Sequence, residues 1–112
     1  MDYLIDINNS DNDGFETNSD NVLSVKVIDK ENRQLKDCYV ELFLTKNGML
    51  GLGTELIRLA HKFHEGKHIH LDPCDKDLMV QRLGVFVSPD SNSLIIDCDK
   101  NITIDELCKN IN

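Results

Sequence analysis

The stretch that decides the fold is "TKNGMLGLGTELIRLAHKFHEG", residues 45–66, followed directly by "KHIHL", residues 67–71. Apolar residues in the first part recur at helical spacing and predict a helix over about 48–65. Asn47 is a suitable N-cap, and Gly66 is a suitable residue just past the helix end. The predicted apolar stripe of this helix consists of Met49, Leu52, Leu56, Leu59, Ala60 and Phe63.

Segments on both sides of this helix alternate between apolar and polar residues, which is typical of strands. "DYLIDI" is a possible short first strand. Val22–Asp29 and Tyr39–Leu44 are predicted to pair as a hairpin through the charged turn between them. In "KHIHL", Ile69 and Leu71 point one way and His68 and His70 the other. Two further strands are predicted, in "LGVFV" at 83–87 and in "SLIIDC" at 93–98.

The element order predicts an α+β fold, with a mostly antiparallel sheet of about five strands packed on the central helix over about 48–65. Thr103 and Glu106 fit a capping box that begins a short C-terminal helix. The length of 112 residues suits one domain over 1–112, with an acidic flexible loop at 8–21. No secretion signal or apolar run of about 18 residues is visible, so we expect a cytoplasmic protein without a membrane partner.

Acidic residues are concentrated in the two ends of the chain. The net charge is −8, of which residues 1–21 contribute −6, residues 22–69 contribute +2 and residues 70–112 contribute −4. Such a surface repels nucleic acid and anionic lipid and favours a basic protein partner. The alternative interpretation is that the acidity only aids solubility.

The histidines and cysteines raise the question of a metal site. His68 and His70 share a strand face and could chelate a metal, with His64 as a third ligand, whereas His61 falls on the far side of the helix. A metal-binding or metal-dependent hydrolase-like domain using His64, His68 and His70 is therefore an alternative hypothesis. The simpler interpretation is that these histidines hold the strand in place through the backbone or a carboxylate such as Asp72. The four cysteines form no close pair, so we expect reduced thiols, with Cys38 and Cys98 in the core.

The acidic loop partly matches a calcium-binding loop. Asn9, Asp11, Asp13, Gly14 and Asp20 fall at positions 1, 3, 5, 6 and 12 of that pattern. Position 1 is Asn where Asp is expected, position 12 lacks the longer Glu, and no helix-like sequence precedes the loop. A solvated loop or a docking surface is the preferred interpretation, and no cofactor is predicted.

The residues from Asn47 to Asp97 carry a family resemblance. The glycine-bounded, leucine-rich helix, the "HIHLD" strand and the later "SLIID" strand resemble small immunity proteins of bacterial polymorphic toxin systems, including contact-dependent growth inhibition. Residues 1–46 carry no recognised motif.

The resemblance implies a protein that is not an enzyme and that binds and neutralises a cognate toxin C-terminal domain. Many such toxins are nucleases with basic grooves, so an acidic inhibitor would associate rapidly through electrostatic steering. The chain itself would be a monomer before binding. A plain interaction domain within a larger assembly is a third hypothesis. The predicted toxin-binding residues are the carboxylates Asp11, Asp13, Glu16, Asp20, Asp72, Asp75 and Asp77.

Overall fold

A computed structural model describes residues 2, 5–8, 21–74 and 85–109. The chain divides into two units, one comprising Lys26–Asn101 and the other Met1–Val25 with Ile102–Asn112. The larger unit contains strands β1 (Val27–Ile28) and β2 (Gln34–Leu35), helix α1 (Lys46–His61), and strands β3 (His68–Leu71) and β4 (Leu94–Asp97). The smaller unit contains helix α2 (Ile104–Cys108). The α+β class is therefore confirmed.

The described residues do not support the predicted sheet of about five strands. The described strands form two separate antiparallel pairs, β1 with β2 and β3 with β4. Among these elements, close backbone contacts join the two partners of each pair, and none joins α1 to a strand. The predicted packing of the sheet on the central helix is therefore not seen among the described elements.

The first pair is a tight hairpin, which replaces the wider one predicted between Val22–Asp29 and Tyr39–Leu44. Asp29 closes it: its Oδ1 accepts hydrogen bonds from the backbone N–H groups of Glu31 and Arg33, both at 2.9 Å. The Asp29 carbonyl accepts from the Asn32 N–H at 3.0 Å, and Asn32 has a φ of +62°. This is the pattern of a three-residue loop with a left-handed last residue, which brings Gln34 and Leu35 back onto β1.

Tyr39–Leu44, predicted as a strand, belongs to neither sheet. Asp37, two residues past β2, has a φ of +59° and redirects the chain out of the extended course of that strand. Cys38 is exposed in this region, so its predicted place in the core is wrong.

Helix α1 begins two residues earlier and ends four residues earlier than predicted. Its N-cap is Thr45, not Asn47: the Thr45 Oγ1 accepts from the Gly48 N–H at 3.0 Å. At its end, the Lys62 N–H bonds to the carbonyls of Arg58 and Leu59. No residue of α1 is buried; Leu52 and Leu59 of the predicted stripe are half-buried, and the exposed members are Met49, Leu56, Ala60 and Phe63.

Gly66 does not cap the helix but forms the turn that leads into β3. The Lys67 N–H donates to the His64 carbonyl at 3.1 Å, and Gly66 has a φ of +86°. Glu65 lacks a positive φ, so the turn is of type II, with glycine at its third position. This geometry sets the direction in which the chain enters β3.

The described core lies beside the β3–β4 pair. It consists of Leu71, Cys74 and Cys98, and the buried position predicted for Cys98 is confirmed. The antiparallel register places Ile69 opposite Ile96 and Leu71 opposite Leu94. In α2, the predicted cap is confirmed, since the Thr103 Oγ1 accepts from the Glu106 N–H at 3.1 Å. No disulfide bond joins any two of the four cysteines, all of which lie among the described residues.

Candidate functional site

The outer face of the β3–β4 pair carries the two histidines of "KHIHL". Along β3, His68 and His70 are exposed, Ile69 is half-buried and Leu71 is buried. The predicted alternation is confirmed. On β4 the same outer face carries Ile95, opposite His70, and Asp97, opposite His68.

His68 is held by its own backbone neighbourhood. Its Nδ1 lies 3.0 Å from the Gly66 carbonyl, which can only accept, so Nδ1 carries the hydrogen. The same nitrogen lies 4.0 Å from Asp97 Oδ1 across the strands. The rings of His68 and His70 meet edge to face with centroids 4.8 Å apart. These contacts indicate that His68 helps to organise the turn and the strand, with Asp97 as a neighbouring carboxylate.

The structure does not assemble the histidines into a three-ligand metal site. His61 is the last residue of α1, and His64 lies in the turn, with its Nδ1 3.3 Å from the Glu65 carbonyl. Among the residues that the structure describes, no group of three or more His, Cys, Asp or Glu side chains is placed to hold a metal ion. The set His64, His68 and His70 is therefore not brought together in this part of the chain.

Glu65 links the turn before β3 to the turn after β4, at one end of the β3–β4 pair. The Oε2 of Glu65 accepts from the Lys100 N–H at 2.8 Å, across 35 positions of sequence. Next to it, the Gly66 N–H donates to the Cys98 carbonyl, and the Cys98 N–H donates to the Lys67 carbonyl at 2.8 Å. No local sequence pattern predicts the hydrogen bond between Glu65 and Lys100, because it depends on the register of β3 and β4.

Of the acidic residues predicted to bind a toxin, only Asp72 lies within the described part of the chain. It is exposed and follows β3 directly. The other predicted residues lie outside the described residues: Asp11, Asp13, Glu16, Asp20, Asp75 and Asp77. The predicted loop at 8–21 is described only at its two ends.

Among the described residues of the larger unit, the most exposed apolar side chains lie in Tyr39–Leu44. Tyr39 is 94% exposed and Phe43 is 88% exposed, whereas Val40 and Leu42 are 51% and 55% exposed. The alternation in the sequence identified Val40, Leu42 and Leu44 as one face of this segment. It left the opposite face, with its two aromatic rings, without a role.

This same part of the chain is where a family match begins. The sequence model of the Immunity protein 32 family matches residues 39–99, more than half of the 112-residue chain. The chain belongs to the Immunity protein 32 family. The resemblance to immunity proteins is thereby confirmed, and the match includes Tyr39–Leu44, α1, β3 and β4. No curated protein and no solved structure matches this member of the family.

No helix in the described part of this Immunity protein 32 member is long and apolar enough to cross a membrane.

Proposed function

We propose that this protein is the cytoplasmic antidote to a toxin of a polymorphic or contact-dependent inhibition system. In this proposal it has no catalytic activity of its own and binds the toxin's C-terminal domain. The observation that carries the proposal is the family match over residues 39–99. The net charge of −8 adds the chemical character of the partner, because it favours a basic domain.

A nuclease is the toxin class that best fits this charge. Nuclease substrate grooves are basic because they bind a polyanion, and a protein with carboxylates at suitable positions can occupy such a groove. The residues proposed to face the toxin are again Asp11, Asp13, Glu16, Asp20, Asp72, Asp75 and Asp77. Asp72 is the one whose exposure at the end of β3 directly supports its inclusion.

Co-expression tests the proposal. The candidate toxins are domains encoded next to this gene, and each is induced in a sensitive bacterial host with or without this chain. We expect growth to be restored by the chain, and the two proteins to co-purify as a complex. If the chain restores no growth and binds no domain encoded beside it, the proposed function is wrong.

A pair of variants tests the acidic surface within that proposal. Asp11→Asn with Asp13→Asn removes two charges from the acidic loop, and Glu31→Gln with Asp90→Asn removes two from exposed turns elsewhere. Each pair changes the net charge from −8 to −6. We expect the loop variant to associate with the toxin domain several-fold more slowly than the control variant, because local carboxylates steer the encounter. Equal association rates for the two variants would show that the acidic loop does not face the toxin domain.

A further inference from the structure

The segment Tyr39–Leu44 has a strand-forming sequence but no strand partner. Among the described residues, no hydrogen bond involves its backbone N–H or C=O groups, and it lies in neither two-stranded sheet. Val, Tyr, Phe and Leu in alternation are typical of a half-buried strand. A segment with a strand-forming sequence and an unpaired backbone can add to the edge of another protein's sheet.

The two faces of this segment differ in exposure. Tyr39, Glu41 and Phe43 occupy alternate positions, and the two aromatic residues are almost fully exposed. Each aromatic side chain can bury about 150–250 Å². Together they would supply roughly half of the about 800 Å² that one partner buries in a standard protein interface. The segment is therefore large enough to anchor a partner, and pairing its backbone would add further area.

Charge indicates what kind of partner fits. Glu41 lies between the two aromatic residues, so a partner strand would best place a lysine or arginine opposite it. A second copy of this chain is a poor match. Symmetric antiparallel pairing along the whole segment would set Glu41 opposite Leu42 of the other copy, so no basic side chain would face the carboxylate. Each copy also carries a net charge of −8, which disfavours association of two copies.

We infer that Tyr39–Leu44 is an interaction strand that pairs with an exposed sheet edge on the basic toxin domain. Tyr39 and Phe43 fill apolar sites on that domain, and Glu41 meets a basic side chain between them. The inference rests on the proposed function and adds to it a binding segment outside the acidic loop.

Amide hydrogen exchange tests the backbone pairing. The probe is the purified toxin domain against which this chain protects in the co-expression test, mixed with the 112-residue chain. In the free chain we expect the amides of Tyr39–Leu44 to exchange rapidly, because no described hydrogen bond holds them. In the complex, we expect alternate amides of the segment to slow by at least about tenfold, since only one edge of a strand faces its partner. The amides of β3 serve as an internal reference.

Two substitutions with matched controls test the side chains. Phe43→Ala should weaken toxin binding by about 30-fold, as expected of a central aromatic anchor, whereas Phe63→Ala should change the dissociation constant less than twofold. Glu41→Lys should weaken binding about tenfold, whereas Asp90→Lys, which makes the same change in net charge, should have a much smaller effect. Circular dichroism of each variant checks that the fold is retained.

The outcomes separate the two proposals. The toxin domain could bind tightly while the amides of Tyr39–Leu44 exchange as fast as in the free chain, or the Phe43→Ala variant could bind as tightly as the unchanged protein. Either result would show that the segment is not an interaction strand and would leave the proposed immunity function intact. In the free chain, the amides of the segment could instead become more protected as the protein concentration rises, with a dimer seen in sedimentation. That result would show that a second copy pairs with the segment, and the inference would be wrong. If no toxin domain binds, both proposals fail together.

Discussion

At the scale of single residues, Gly66 has the strictest requirement on the backbone. Its φ of +86° belongs to the left-handed region that side chains disfavour. We expect Gly66→Ala to lower the free energy of unfolding by about 1 kcal/mol, measured by urea denaturation. Gly53→Ala is the matched control: it lies inside α1 with no atom within 4 Å of the added Cβ, so it should stabilise by about 0.5–1 kcal/mol. Equal effects would contradict this assignment.

Glu65, beside Gly66, is the second residue whose role is testable alone. Its carboxylate accepts from the Lys100 N–H and so fixes the turn after β4 to the turn before β3. Glu65→Ala should lower the unfolding free energy by about 0.5–1 kcal/mol, and Glu65→Gln should lose less because its amide oxygen still accepts. Chemical denaturation measures both variants. A glutamine variant as unstable as the alanine variant would show that charge, not hydrogen bonding, matters at this position.

At the scale of elements, the observed N-cap of α1 differs from the one that the sequence predicted. Thr45 accepts from the Gly48 N–H, whereas the sequence pattern favoured Asn47. We expect Thr45→Ala to cost about 1 kcal/mol of stability and Thr45→Ser to cost much less. Asn47→Ala should be neutral or slightly stabilising, because Asn47 lies within the helix. Thermal denaturation of the three variants measures these differences. A larger loss of stability for Asn47→Ala than for Thr45→Ala would show that Asn47 is the N-cap, as the sequence predicted.

The elements that the sequence predicted well are those whose signal is local. The period of "KHIHL" correctly gave the buried side of β3, and the Thr103 cap of α2 was predicted from its spacing to Glu106. Strand pairing was predicted poorly because it depends on turns. The left-handed residues Asn32 and Asp37 redirect the chain, and neither is a glycine that would have marked the position.

At the scale of the whole molecule, family membership followed from the sequence, but the exposed aromatic surface did not. The "HIHLD" motif pointed to immunity proteins, and the family match agrees. The same histidines first suggested a metal site, because spacing alone cannot tell whether side chains from α1 and β3 converge. The exposure of Tyr39 and Phe43 could not be predicted, because the predicted strand over Tyr39–Leu44 implied a partner strand within the fold.

The charge of the whole molecule leads to a prediction about kinetics. A chain of net charge −8 that binds a basic toxin domain should associate more slowly as salt rises, while dissociation changes little. Between about 0.05 and 0.5 M NaCl we expect the association rate constant to fall at least tenfold, measured by stopped-flow fluorescence or surface plasmon resonance. Replacing NaCl with an uncharged osmolyte is the control. A rate independent of salt would show that long-range charge is not what guides the encounter.

Because two cysteines are exposed and two are buried, their rates of chemical labelling can report local opening of the β3–β4 region. Cys38 and Cys108 are exposed, whereas Cys74 and Cys98 are buried at 7% and 4% exposure beside β3 and β4. A thiol reagent should therefore label two sites at once and the other two only as fast as the β3–β4 region opens. Counting the added masses over time would time that opening without any engineered probe. Repeating the measurement with toxin bound would show whether binding slows the labelling of Cys74 and Cys98, and so whether it suppresses opening of the β3–β4 region.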